Sequence, residues 1–137
     1  MIKTKLPTVE KTIDEATKSL VVTEKEIDVC IDTSLYAEQR WETHFPHNAK
    51  NETLFAYVER VQNSGKVADR AHVLSNLKAI YCFMEGEQIA DFKSFLQLFD
   101  LADGDYINRL IEKIKFVFEI ALSTSAVTHL RMAASKL

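Results

Sequence analysis

Residues that break regular structure are scarce in this chain, and their scarcity limits the folds it can adopt. Three glycines and two prolines occur among 137 residues. Each of the five lies between segments with apolar periodicity, where glycine ends a helix and proline begins or follows one. No segment alternates persuasively between apolar and polar residues, as a strand would. We therefore predict an all-α fold, a compact bundle of about six helices with a long C-terminal helix, in a single domain over residues 1–137.

The first two predicted helices depend on apolar spacing and on one capping signal. Apolar residues at steps of four, three and four predict a helix over about 8–20. Thr23 and Glu26 have the spacing of a capping box, which indicates that a second helix begins there. We expect it to end near residue 45, before a proline.

Apolar spacing also predicts four further helices, and the last of them is unusually long. Nothing breaks its pattern, so it would span about 45 Å, more than a compact domain of this size is wide. We expect it either to bend near residues 123–125 or to project and pack on another molecule. The four helices are predicted over about 52–62, 67–85, 88–100 and from Asp105 to the end of the chain.

Composition and charge limit the functions that we expect of this chain. The net charge of −3 is unlike the basic excess of proteins that neutralise phosphates. No apolar run is long enough to cross a bilayer, and the N-terminal residues lack the apolar stretch of a secretory signal, so we expect a cytoplasmic protein without membrane contact. Cys30 and Cys82 fall in predicted helices, where we expect them to be reduced and structural.

No pattern in the chain marks a reacting group or a cofactor. Isolated glycines cannot form a glycine-rich phosphate cradle. The pairs His44 with His47 and Asp69 with His72 each fall short of a full zinc ligand set. The sequence therefore predicts a protein that is not an enzyme, with no catalytic residue, no cofactor and no metal.

One segment, residues 88–115, resembles a known class of protein. Asp91-Phe92 is followed by Leu101, then by Asp105-Tyr106-Ile107 and a basic helix. This order is similar to the C-terminal part of small helical proteins encoded by phages and prophages. The resemblance implies a phage or mobile-element origin and a helix-turn-helix reader of DNA, with the helix from Asp105 in the major groove. Its implied DNA contacts are Asn108, Arg109, Lys113 and Lys115.

The charge around this segment favours a protein partner over DNA. Residues 85–105 carry six carboxylates against Lys93 alone, so an approaching duplex would meet like charge. Our leading hypothesis is a non-enzymatic regulatory or inhibitory protein that binds another protein, and DNA binding is the alternative. Candidate protein-binding residues are Trp41, Phe45, Asp100, Asp103 and Asp105. For Trp41 and Phe45 the favoured alternative is that the two rings cap the core. We also predict a homodimer, with candidate contacts on the final helix at Ala121, Leu122, Ser125 and Ala126.

Overall fold

The N-terminal part of the chain forms a long antiparallel β-hairpin, seen in a computed structural model that describes residues 2–84, 91–101 and 104–124. Its strands are β1 (Ile2–Asp14) and β2 (Ser19–Ile31). They pair without interruption from Ile2 opposite Ile31 to Asp14 opposite Ser19. The all-α prediction is therefore wrong, and so are the predicted helix over 8–20 and the N-terminal half of the one over 23–45.

The spacing that suggested a first helix is compatible with a strand. A step of four residues returns to the same face in both structures, because four is even and also close to one helical turn. Val9 and Ile13 are such a pair, and both lie in β1. Thr23 and Glu26, the supposed capping box, both lie in β2, and so does Cys30, which we had expected in a helix.

Six α-helices follow the hairpin in the described residues. They are α1 (Leu35–His44), α2 (Pro46–Asn51), α3 (Leu54–Asn63), α4 (Val73–Phe83), α5 (Phe92–Leu96) and α6 (Gly104–Thr124). The helix expected over 52–62 is present as α3. The one expected over 67–85 begins with two 3₁₀ turns before α4, and α5 covers the centre of the one expected over 88–100.

Side chains of α1 form hydrogen bonds with backbone groups at the ends of α3 and α4. The carboxylate of Glu38 on α1 accepts hydrogen bonds from the backbone N–H groups of Leu54 and Phe55, at 2.7 and 3.1 Å. These N–H groups open α3 and have no partner within the helix. Arg40, also on α1, donates to the carbonyls of Tyr81 and Met84 at the end of α4. Helix α1 is thereby fixed to both helices by groups that helix ends leave unpaired.

One apolar cluster joins the helices to the near end of the hairpin. Helices α4 and α6 supply most of it, with fully buried residues such as Ile80 and Phe118, and the hairpin supplies Leu6, Val29 and Ile31. The end of β2 is also tied to α4 through the backbone, because Ile31 forms a bridge with residue 84 at the end of that helix. The hairpin is thus anchored to the helical body at one end.

Helix α6 is continuous from Gly104 to Thr124, and its 21 residues span about 30 Å. The bend expected near residues 123–125 falls at the edge of the described chain, and residues from 125 onward lie outside it. Within the described residues, no helix combines the length and apolarity that a membrane crossing requires.

Candidate functional site

The hairpin has two ends in very different surroundings. At the base, near residues 2–9 and 27–31, Leu6 and Val29 are completely buried. From Glu10 through the turn to Glu26 every residue is exposed. We call residues 10–26 the tip. It is an exposed strand pair that extends beyond the buried base.

Apolar side chains are concentrated on the tip although no described part of the chain covers them. Ile13 and Leu20 lie directly opposite each other across the strands and are 65% and 62% exposed. Val22 lies two residues from Leu20, on the same face, and is 48% exposed. Val21 is exposed on the other face. Four of the nine large exposed hydrophobic residues of the described chain therefore lie within ten residues of one another.

Two backbone contacts seat β1 on the body just before the tip begins. The buried hydroxyl of Tyr106 donates to the carbonyl of Pro7 at 2.9 Å, and the N–H of Val9 donates to the carbonyl of Leu98, also at 2.9 Å. Burial raises the pKa of Tyr106, so its hydroxyl remains a donor at any physiological pH. Both groups on β1 point away from β2. A proline can occupy such a position because the N–H that it lacks would point away from the partner strand.

Ion pairs hold the two strands where they leave the body. Lys11 on β1 pairs with Asp100, next to the turn before α6. Arg109 on α6 makes bonds of 3.0 and 2.6 Å to one carboxylate oxygen of Glu24 on β2, and one of 3.1 Å to the other. This two-pronged geometry fixes direction as well as distance. The direction in which the tip leaves the body is therefore set by contacts to both strands.

The outer edge of β2 is open along the tip. In an antiparallel pair, every second residue directs its N–H and C=O away from the partner strand. Because Pro7 and Val9 face outward on β1, their opposite residues Glu26 and Glu24 face outward on β2. The same alternation gives Val22 an outward-facing backbone. Within the described chain, no backbone hydrogen bond from outside the hairpin reaches β2 between residues 20 and 28.

A groove of about 440 Å³ lies between α6 and the hairpin face that carries Glu24 and Glu26. Carboxylates and cations both border it, and the half-exposed ring of Phe116 adds an apolar surface. It is lined by Pro7, Glu24, Glu26, Arg109, Glu112, Lys113 and Phe116. The groove can therefore receive side chains of mixed character from something that lies along β2.

The predicted protein-binding residues are dispersed. Trp41 is 1% exposed, and its indole N–H donates to a backbone carbonyl, so it belongs to the core. Phe45 is half-buried in a cluster of aromatic rings. Asp100 pairs with the hairpin, as described above, and Asp105 is exposed in the first turn of α6. Asp103 lies outside the described residues.

The predicted DNA contacts lie on the exposed side of α6, but one of them is already engaged. Asn108, Arg109, Lys113 and Lys115 are all exposed. The charge of Arg109 is balanced by Glu24. Lys113 lies 5.9 Å from the ring of the neighbouring phenylalanine. DNA binding stays a prediction. The hairpin carboxylates lie next to the helix that would enter the major groove of DNA.

The predicted dimer contacts are only partly described. Ala121 is completely buried within the single chain, so its side chain cannot meet a second copy. Leu122 is half-buried against the core, and Ser125 and Ala126 lie outside the described residues. The homodimer therefore stays a prediction.

The described chain holds two cysteines that form no disulfide, Cys30, which is partly buried, and Cys82, which is buried. Burial raises the pKa of Cys82 to about 12, so it is protonated and unreactive at neutral pH. No three metal-ligating side chains converge within residues 2–84, 91–101 and 104–124.

Sequence reasoning missed the tip, although two signals for it were present. Acidic residues occur at every second position of β2, at Glu24, Glu26 and Asp28, with Lys25 and Ile27 between them. This is the two-residue period of a strand. Leu20 to Thr23 is also rich in β-branched residues, which favour strands.

Comparisons with protein-family models, with curated proteins and with solved structures gave no match. The resemblance of residues 88–115 to phage and prophage proteins therefore stays a prediction.

Proposed function

We propose that this is a non-enzymatic regulatory or inhibitory protein that acts by binding another protein through the tip of its hairpin. The observation that carries the proposal is the exposed apolar face made by Ile13, Leu20 and Val22 on a strand pair whose base is anchored to the helices.

These apolar residues contribute little to the fold in the state described. A large aliphatic side chain gains about 1.5–3 kcal/mol when it is fully buried. Ile13 and Leu20 forgo most of that gain, since each remains more than half exposed. An apolar cluster rimmed by polar residues is typical of a surface that a partner covers. Burial in a complex would supply the stabilisation that the free protein lacks.

The anchored base makes the tip suitable for recognition. An isolated two-stranded hairpin is marginally stable in water, so an unsupported one would pay for its order on binding. Here Pro7 and Val9 fix one strand and Arg109 fixes the other. A partner would therefore meet strands that already have their bound shape.

The charge of the molecule is consistent with a protein partner. The net charge is −3, and β2 presents three carboxylates next to the apolar face. Negative charge at this position repels phosphate backbones and attracts basic protein surfaces.

Affinity capture from cells that express the protein tests the proposal. We expect the wild type to recover a specific protein partner and the double variant Ile13→Ser, Leu20→Ser to lose it. The matched control is Leu35→Ser, Leu74→Ser, which removes two other exposed apolar side chains, 59% and 51% exposed, and should retain the partner. Recovery of no partner, or equal loss with both variants, would contradict the proposal.

A further inference from the structure

We propose that the partner binds by adding an extended strand to the outer edge of β2, and that this strand carries basic residues at alternate positions followed by an apolar end. The inference rests on the proposed function, since it names the kind of partner segment that the tip accepts.

The backbone of β2 presents hydrogen-bonding groups along its outer edge. Val22, Glu24 and Glu26 direct their N–H and C=O groups away from β1, toward an edge that no described residue pairs. Such an edge is a ready template for another strand. Strand addition draws affinity from these main-chain bonds and specificity from the side chains at alternate positions.

The side chains at outward-facing positions of β2 form a row of acids. Glu24, Glu26 and Asp28 have outward-facing backbones and project from one face, so an added strand would place its side chains beside theirs. Arg109 balances Glu24, but Lys5 alone serves both of the other two, at 3.9 Å from each. Basic side chains on the added strand would complete this row.

The same row of acids argues against a second copy of this chain as the occupant. Two β2 edges brought together antiparallel across the acidic half would set carboxylates opposite carboxylates, an unfavourable arrangement on neighbouring strands. Charged side chains on an edge strand commonly prevent self-pairing in this way. The charge that discourages a copy of the chain attracts a basic segment.

The change of side chains along β2 predicts which end of the added strand is basic and which end is apolar. Toward the turn, the row of acids gives way to Val22 and Leu20, which are exposed next to Ile13. An added strand would therefore be basic beside Glu24 to Asp28 and apolar beside Leu20 and Val22. The groove against α6 lies alongside the basic part, and it is bordered by the Glu112 carboxylate and the Phe116 ring as well as by the cations of Arg109 and Lys113.

Synthetic peptides and backbone hydrogen exchange test the inference with the intact protein. The probe is a peptide in which lysine alternates with threonine and which ends in Val-Thr-Leu, and the control peptide has glutamate in place of each lysine. We expect the lysine peptide to bind about tenfold more tightly, as a few cross-strand charge pairs would produce. It should slow amide exchange at Val22, Glu24 and Glu26, whose N–H groups face outward.

A pair of variants separates strand addition from simple charge attraction. Val22→Pro removes one outward N–H and should weaken binding of the lysine peptide about tenfold. Val22→Thr keeps that N–H and loses only one methyl group of the apolar face, so it should weaken binding clearly less than Val22→Pro does. Proline is tolerated at an outward position of this hairpin, because Pro7 already occupies one.

Two results would overturn strand addition. One is binding that does not distinguish the lysine and glutamate peptides, including no binding of either. The other is binding without slower exchange at the outward amides, and both are measured on the wild type, so they stand even if Val22→Pro unfolds. If partner capture still depends on Ile13 and Leu20 in that case, the proposed function holds and only strand addition fails.

Discussion

The base and the tip of the hairpin share one uninterrupted strand pairing but differ in what surrounds them. Leu6 at the base is completely buried against the helices, whereas Leu20 at the tip is 62% exposed. The same residue type therefore serves packing at one end and remains available at the other. Strand pairing alone does not explain why the hairpin continues beyond the body, which is why we propose that the tip binds a partner.

The largest expected difference between the two ends is in stability. Leu6→Ala removes a fully buried side chain and should lower the free energy of unfolding by about 2–5 kcal/mol. Leu20→Ala should change it by less than about 0.5 kcal/mol, because the side chain is exposed. Urea unfolding of both variants measures the contrast. Equal losses would mean that the tip is part of the fold.

The second difference concerns alkaline pH, because the buried ionisable groups lie in the body and not in the tip. Burial raises the pKa of Cys82 from 9.0 and that of Tyr57 from 10.0, each to about 12. The unfolded chain loses these protons first, so stability is fully present below about pH 9 and is lost as pH rises toward 12. Each group contributes a slope of about 1.4 kcal/mol per pH unit within its window.

Unfolding measured between pH 8 and 11 tests this expectation. Cys82→Ala should remove the earliest part of the decline, whatever it does to stability at neutral pH. A stability profile that stays flat to pH 11 would show that these groups are not buried as described.

The smallest expected effect concerns the junction between base and tip. Tyr106→Phe removes the hydrogen bond to the Pro7 carbonyl and should cost about 0.5–1.5 kcal/mol. It should also speed amide exchange at Val9, the next contact along β1. Tyr36→Phe, on an exposed ring, is the matched control and should change neither quantity. An unchanged Tyr106→Phe protein would mean that this bond does not seat the hairpin.

Helices were predictable from the sequence where a long apolar stripe has no competing interpretation. Helix α6 has such a stripe from Ile107 to Ala121, and α3 is preceded by Thr53, whose hydroxyl accepts a hydrogen bond from the N–H of Ala56 as an N-cap threonine does. The prediction failed where short-range signals suit both a helix and a strand. Val9 and Ile13 are the clearest example, because their spacing of four keeps them on one face either way.

The candidate site was less predictable because it depends on contacts distant in sequence. Asp100, a predicted partner contact, pairs within the chain with Lys11, which is nearly ninety residues away in sequence. Trp41 was a candidate protein-binding residue, and the core encloses it. Leu20 and Val22 became notable only once their exposure was known, since apolar residues in a strand are ordinarily packed.

The most direct test of the account replaces residues 13–20 with Asn-Gly. This sequence favours the tight turn that would join Thr12 to Val21, which already face each other across the strands. The shortened protein keeps Lys11, Glu24 and the whole base. If the tip serves binding and the base serves folding, its free energy of unfolding should stay within about 1 kcal/mol of wild type while partner capture is lost. Loss of the folded body, or capture that survives the deletion, would contradict the account.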